Sequence, residues 1–197
     1  MDVRAGVDWG YTNPGGIGVG AIDKDGRLII VHETYQTRRL IGWWVDKARN
    51  LRELYGISKF VCDPSEPGYI EEFNAAGLRA VGANNDVRLG IQAVQTRLVV
   101  QEDGLPRLMY MLGALDGVDP DLLERKKPTG LLQEMPGYVW NDKRVKEEPV
   151  KADDHAVDWL RYLCMDLDAP VVATAARAKA VNVHGGRVRQ RGRDPRY

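Results

Sequence analysis

The chain has 197 residues, of which 44% are apolar, and this is enough for one domain with a hydrophobic core. The apolar content argues against disorder throughout, and the formal net charge is zero. Cys62 and Cys164 are too few cysteines for a disulfide scaffold or a thiolate metal site, so we expect reduced, structural thiols. The sequence shows neither a signal peptide nor an apolar run of ~18 residues, so we expect a soluble, cytoplasmic protein without a membrane partner.

The charges are distributed unevenly along the chain. In residues 169–197, seven basic residues less one acidic residue give +6, which leaves −6 for residues 1–168. We therefore expect a folded domain over residues 1–168 and a basic tail, rich in glycine and arginine, over residues 169–197. Such a tail is either a solubilising terminus or a segment that contacts phosphates or docks on an acidic partner.

The first 62 residues predict an antiparallel meander of three strands, followed by a helix and a fourth strand. β-Branched residues and turn signals place these strands at residues 3–8, 15–23, 27–35 and 58–62. Apolar residues at helical spacing predict a helix over residues 40–55, which Gly56 ends. Because a helix separates the third and fourth strands, we expect the fourth strand to pair parallel to the first.

The remainder of the chain alternates between shorter helices and strands. It predicts a helix over 67–76, a strand over 78–81, a helix from Asp86 to Leu98, and a hairpin at Asp103-Gly104. A loop-rich stretch follows, with a short helix over 119–126, and Asp153 or Asp154 then opens a last helix that ends near Met165. Pro170 is expected to stop that helix.

This order of elements predicts an α/β fold with a ribonuclease H-like mixed β-sheet flanked by helices. In such a sheet the first and fourth strands are central neighbours. Asp8 and Asp63, which end those strands, are therefore expected side by side. The last helix is expected to bring its N-terminal acids over the same edge of the sheet.

Carboxylates held this close repel one another unless a cation neutralises them. Their hard oxygen atoms favour Mg²⁺ or Mn²⁺, and two such ions about 4 Å apart can clamp both reacting oxygens of a phosphodiester. A two-metal nuclease is therefore the leading hypothesis. The candidate metal ligands are Asp8, Asp63, Asp153, Asp154, Asp158 and His155.

Each candidate also has a purely structural interpretation. Asp8 is suited to capping a turn, and Asp63 to an Asx-turn before Pro64. One of Asp153 and Asp154 suits a helix N-cap, while a histidine at position 155 is as often solvated as ligating. Several basic residues are predicted to contact DNA phosphates, and the structural alternative is that they are only solvent-exposed surface residues. These DNA-binding candidates are Arg88, Arg97, Arg125, Lys126, Lys127 and Lys151.

Four segments occur in the order that is found in the large subunits of tailed-phage terminases, the family that the chain resembles. They are VRAGVDWGYTNPGGIGVGAID, FVCDPSEPGYIEEFNAAG, GANNDVRLGIQAVQTRL and KADDHAVDWLRY. The resemblance covers roughly residues 1–166 and the nuclease half of such proteins. It implies catalytic roles for Asp8, which would touch both metals, for Asp63 and, by the last motif, for Asp154.

The resemblance also implies endonucleolytic cutting of concatemeric double-stranded DNA during genome packaging, in the cytoplasm of an infected bacterium. The implied partners are an ATPase domain, a portal protein and a small terminase subunit. No run of the form G-x-x-x-x-G-K-[ST] occurs, so no ATPase half is recognised. We therefore expect an excised domain or a nuclease-only protein.

Rival functions remain open at this point. The pattern Asp8-x-Gly10-x-Thr12 on a first hairpin is also a phosphate-binding pattern of actin-like ATPases and sugar kinases, although no second glycine-rich phosphate loop follows. A noncatalytic module that docks on a portal or capsid through the basic tail is a second alternative. Other ribonuclease H-like nucleases, such as resolvases and integrases, form a third.

Overall fold

The computed structural model describes residues 1–140, 149–150 and 152–184, with side chains up to residue 169. The chain divides into two units, Met1–Asp166 and Leu167–Tyr197. Within the described residues of the first unit, six strands form one mixed sheet. They are β1 (Asp2–Asp8), β2 (Gly15–Ile22), β3 (Leu28–Gln36), β4 (Lys59–Cys62), β5 (Ala80–Gly82) and β6 (Leu108–Tyr110). Their order is β5-β4-β1-β2-β3-β6.

Helices flank this sheet, which confirms the predicted α/β fold. The helices are α1 (Ile41–Tyr55), α2 (Pro67–Ala75), α3 (Val87–Leu98), α4 (Pro120–Glu124), α5 (Leu131–Glu134) and α6 (His155–His184), with a 3₁₀ turn at Met135–Gly137. Strands β1, β2 and β3 form the predicted antiparallel meander, and β4 pairs parallel to β1. Gly56 adopts the left-handed conformation that ends α1.

Two predicted elements differ from the structure. Asp103-Gly104 lies in a tight turn that the Gln101 amide closes by donating to the Leu105 carbonyl, but no hairpin forms. The strand that follows, β6, instead pairs parallel to β3 at the edge of the sheet, with Leu108 opposite Leu28. The last helix does not stop at Met165: α6 continues through Pro170 to His184. The alanine-rich sequence of residues 173–180 favours the helix strongly enough to continue past one proline.

Alternate residues of β1 and β2 face opposite sides of the sheet. On one side, side chains such as Val7 and Val19 pack with Trp44 and Ala48 of α1 in the main hydrophobic core. On the other side β2 carries Gly16, Gly18 and Gly20, and β1 carries Gly6. A Cβ atom on Gly18 would lie only 2.1 Å from Cζ3 of Trp159, so the missing side chains make room for α6.

This close packing fixes where α6 begins. Gly6 lies under the backbone of Trp159, where a Cβ atom would come within 2.3 Å of its carbonyl oxygen. Farther along α6, Asp166 accepts hydrogen bonds from Arg4 at 2.8 Å and Lys59 at 2.7 Å, which ties the helix to β1 and β4. The first turn of α6 is therefore held beside the carboxyl end of β1. In the part of the chain that the structure describes, no helix is both long and apolar enough to cross a membrane.

Candidate active site

Asp8 and Asp63 follow from the parallel pairing of β1 and β4. Val7 lies opposite Cys62 in the register, and the Asp63 amide donates to the Val7 carbonyl at 2.9 Å. The two aspartates therefore end neighbouring strands at one edge of the sheet, as predicted. Asp8 is on the glycine side of β1, facing α6, and only 5% of it is exposed.

The first turn of α6 brings predicted ligands from the last helix close to Asp8. Nδ1 of His155 lies 3.0 Å from Oδ2 of Asp8. Asp154 immediately precedes the helix, and its carbonyl accepts the Asp158 amide at 2.9 Å. Asp153 lies outside the helix, with a φ of 52°, so it does not open α6.

A buried glutamate that the sequence did not single out caps α6. Oε2 of Glu134 accepts the amides of Ala156 at 2.7 Å and Val157 at 3.0 Å, and the Tyr35 hydroxyl donates to its other oxygen. Glu134 is the last residue of α5 and lies 22 positions before Ala156, and no periodicity in the sequence links it to α6. No sequence signal was available to find it.

The aspartates at the ends of β1 and β4 and the polar residues at the start of α6 line one open cavity of about 1210 Å³ beside the sheet edge. Among the described residues, six aspartates and three basic residues line it. The aspartates are Asp8, Asp63, Asp86, Asp153, Asp154 and Asp158, and the basic residues are Arg88, Lys127 and Arg161. The cavity therefore carries a surplus of negative charge.

Burial, together with the neighbouring charges, changes the proton affinity of the acids in this cavity. Burial, helped by the charges of Asp158 and Asp63, raises the pKa of Asp8 to about 7 against the opposing hydrogen bond and charge of His155. Burial also raises the pKa of Asp158, against the opposing charge of Arg161. Burial lowers the pKa of His155, but the hydrogen bond and charge of Asp8, together with the charges of Glu134 and Asp154, raise this pKa overall.

Several of these acids already have protein partners. Asp63 accepts the amide and the hydroxyl of Ser65 at 3.0 and 2.6 Å, which is the Asx-turn considered from the sequence. Asp153 pairs with Lys127 at 3.1 Å, and Asp158 with Arg161 at 2.7 Å. As these side chains stand, no three His, Cys, Asp or Glu residues in the described part of the chain surround a single metal position.

The donor chemistry nevertheless fits a divalent cation. Carboxylate oxygens from β1, the end of β4 and the start of α6 open into the same cavity. A cation there would offset the burial penalty and the charge repulsion that together raise the pKa of Asp8. Asp8, Asp63, Asp154 and Asp158 are the residues that would hold it, after exchanging some of their present hydrogen bonds.

Two of the six predicted phosphate-binding residues line the cavity. Arg88 and Lys127 line the cavity. Arg97 donates to the Gly26 carbonyl at 3.2 Å, and Arg125 pairs with Asp121 at 3.3 Å, away from the residues that line it. Lys126 is exposed and is not among the lining residues, and Lys151 lies outside the described residues.

Comparisons with solved structures establish which fold the chain has. No protein-family model and no curated protein sequence matches the chain. Among solved structures, the large terminase of a thermophilic bacteriophage, in complex with ATP-γ-S, matches with a TM-score of 0.66 at 22% identity, over 83% of this chain and 39% of that one. The chain thus spans about two fifths of that protein.

Two structures of isolated domains match over most of their own length. The g2p large terminase nuclease domain of bacteriophage SPP1, solved with bound Mn, has a TM-score of 0.57 at 18% identity, over 85% of this chain and 87% of that one. The P22 large terminase nuclease domain has a TM-score of 0.56 at 15% identity, over 82% and 78%. The chain therefore has the ribonuclease H-like fold of large terminase nuclease domains.

Proposed function

We propose that this chain is a metal-dependent endonuclease that cleaves double-stranded DNA during phage genome packaging. The observation that carries the proposal is the meeting of Asp8, Asp63 and the start of α6 in one acidic cavity. The likeness in fold to phage terminase nuclease domains supports the same function.

Charge supports a role for cations. DNA is a polyanion, and a cavity with twice as many aspartates as basic residues repels it. Two of the three basic residues, Lys127 and Arg161, are already paired with aspartates. Two Mg²⁺ or Mn²⁺ ions, when bound, would supply a water nucleophile and offset the charge on the reacting phosphate.

The residues that line the cavity are proposed to have three roles: binding the metal ions, orienting a ligand and contacting DNA. Asp8, Asp63 and Asp154 are proposed as catalytic metal ligands, with Asp158 as an outer ligand. His155 holds the Asp8 carboxylate through its Nδ1 atom, which orients it toward the cavity. Arg88 is proposed to contact the DNA backbone at the rim, which adds affinity without base recognition.

The wider setting is part of the same proposal. An ATPase domain, a portal protein and a small terminase subunit are the proposed partners, and the cytoplasm of an infected bacterium is the proposed location. The large terminase of the thermophilic phage, crystallised with ATP-γ-S and longer than this chain, supports an additional nucleotide-binding part in related proteins.

A nicking assay tests the proposal. Purified protein is incubated with supercoiled plasmid in Mg²⁺, Mn²⁺, Ca²⁺ or EDTA, with and without ATP. Nicking and linearisation are expected in Mg²⁺ or Mn²⁺, independent of ATP and without sequence preference. Full activity in EDTA would contradict the two-metal mechanism, and ATP hydrolysis by the chain alone would favour the actin-like or kinase-like alternative.

A further inference from the structure

Glu134 links the irregular stretch before α6 to the site. Its side chain is buried, with 2% exposed, and both carboxylate oxygens accept hydrogen bonds. One oxygen accepts the Ala156 and Val157 amides, and the other accepts the Tyr35 hydroxyl. These amides belong to the first turn of α6, where a helix has no internal acceptor for its N–H groups.

The capping role of Glu134 matters for the neighbouring aspartates. A helix start is ordinarily capped by the side chain of the residue just before it, which here is Asp154. Because Glu134 accepts the amides instead, the Asp154 carboxylate makes no hydrogen bond with any described residue that would hold it to the helix end. Asp154, which lines the cavity, is therefore not the residue that caps these two amides.

The support extends back to the sheet. The Glu33 carboxylate, on β3, accepts the Leu131 amide at 2.8 Å and the Tyr110 hydroxyl at 2.7 Å. Leu131 is the first residue of α5, and Glu134 is the last. The sheet thus holds α5, and the Glu134 side chain at the end of α5 holds the start of α6.

We propose that Glu134 is a positioning residue that sets the first turn of α6, and with it Asp154, His155 and Asp158, against Asp8. The inference rests on the proposed function, because it assigns Glu134 to the metal site through α6 rather than by direct contact. A misplaced first turn would separate the acids that a cation needs together.

The test compares Glu134→Ala with a matched buried cap elsewhere. Asp119 is also buried, at 4% exposed, and its carboxylate also accepts two backbone amides and one hydroxyl. It caps α4, which contributes no residue to the cavity lining. Asp119→Ala therefore controls for the loss of stability. Glu134→Gln is the rescue variant, because its amide oxygen can accept the helix amides while its NH₂ group donates to Tyr35.

Three measurements are made on each full-length variant: Mn²⁺ affinity by water-proton relaxation, plasmid nicking at saturating Mn²⁺, and amide hydrogen exchange of residues 155–158. Glu134→Ala is expected to weaken Mn²⁺ binding and slow nicking at least tenfold and to speed exchange in the first turn. Asp119→Ala is expected to leave all three near wild type, and Glu134→Gln to restore most of the loss. Equal effects of the two alanine variants would overturn the inference.

The failure of the proposed function is recognised separately. If the wild-type chain neither binds Mn²⁺ nor cuts DNA, the nuclease proposal fails whatever Glu134 does. Hydrogen exchange then still decides whether Glu134 fixes the first turn of α6, since that readout needs no metal. Unchanged exchange in a folded Glu134→Ala variant would refute the positioning role on its own.

Discussion

Nδ1 of His155 lies 3.0 Å from Oδ2 of Asp8, joining the start of the last helix to the end of the first strand across 147 positions of sequence. The contact depends on two independent restraints on α6. The glycines of β1 and β2 let the helix lie close to the sheet, and Glu134 caps its first turn. The candidate site is therefore a product of packing as well as of its own acids.

Asp8→Asn is expected to abolish metal-dependent nicking while keeping the fold and raising its stability at pH 8. The pKa of Asp8 is raised to about 7 in the folded chain from an ordinary value of 3.8, so ionising this group costs stability as the pH rises through 7. Removing the charge should raise the free energy of unfolding by about 2 kcal/mol at pH 8.

The measurement is urea unfolding beside the nicking assay, with Asp46→Asn as the control. Asp46 is exposed on α1 and pairs only loosely with Arg49, at 3.5 Å, so its substitution should change neither quantity. Substantial nicking by a well-folded Asp8→Asn variant would refute the role of Asp8 as a ligand.

Gly18→Ala is expected to lower the free energy of unfolding by about 3 kcal/mol, because the new methyl group would overlap the Trp159 ring. The displaced helix should also weaken Mn²⁺ binding, since His155 and Asp154 begin it. Gly42→Ala is the control: in α1 its Cβ meets nothing within 4 Å, and alanine should be neutral or stabilise by up to about 1 kcal/mol. Equal unfolding midpoints for the two variants would show that β2 does not need glycine at position 18.

Local patterns predicted the sheet and the placement of Asp8 and Asp63, because alternating apolar residues, turn glycines and helix caps act over a few residues. The chain turns between the second and third predicted strands, where Gly26 has a φ of 75°, and the helix predicted from Asp86 is present, with the Asp86 side chain accepting the Leu89 amide. The roles proposed for individual site residues stay predictions.

The features that were not predicted from the sequence depend on contacts between residues far apart in the chain. Glu134 is tied to α6 by tertiary hydrogen bonds that no local pattern encodes, and β6 pairs with β3 rather than with its sequence neighbours. Glycine at alternate positions of β2 was visible in the sequence. Trp159, against which Gly16 and Gly18 pack, lies about 140 residues away in the sequence. The role of the glycines in making room for α6 was therefore not predicted.

Glu33→Gln tests how the charge of Glu33, whose carboxylate accepts the Leu131 amide at the start of α5, affects stability. Burial raises the pKa of Glu33 to about 7 from 4.5, so its contribution to stability is complete below pH 4.5 and is lost as the pH rises through 7. Relative to wild type, the variant should therefore gain about 2 kcal/mol of unfolding free energy between pH 5 and pH 8. Urea unfolding at both pH values measures this gain, and a difference that does not vary with pH would contradict the raised pKa.

Deleting residues 169–197 is expected to preserve metal-dependent chemistry while weakening DNA binding. The deletion removes seven basic residues, and each lost phosphate contact should make the salt dependence of log K shallower by about 0.9. Filter binding at several salt concentrations gives the slope, and a full-length variant with glutamine at the seven basic positions is the control for chain length.

Two outcomes would change that interpretation. An unchanged affinity and salt slope would remove DNA from the functions of the tail and favour docking on a protein partner. Unfolding of the truncated chain would show that the boundary at Asp168, which falls inside α6, is wrong.

The central claim is that the acids around Asp8 form a divalent-cation site, and the most direct test is the number of Mn²⁺ ions bound per chain. Electron paramagnetic resonance of free Mn²⁺ during a titration at pH 8 gives this number. We predict two ions for the wild-type chain and for Asp46→Asn, and at most one for Asp8→Asn. A wild-type chain that binds no Mn²⁺ at millimolar concentration, or an Asp8→Asn chain that still binds two ions, would contradict the claim.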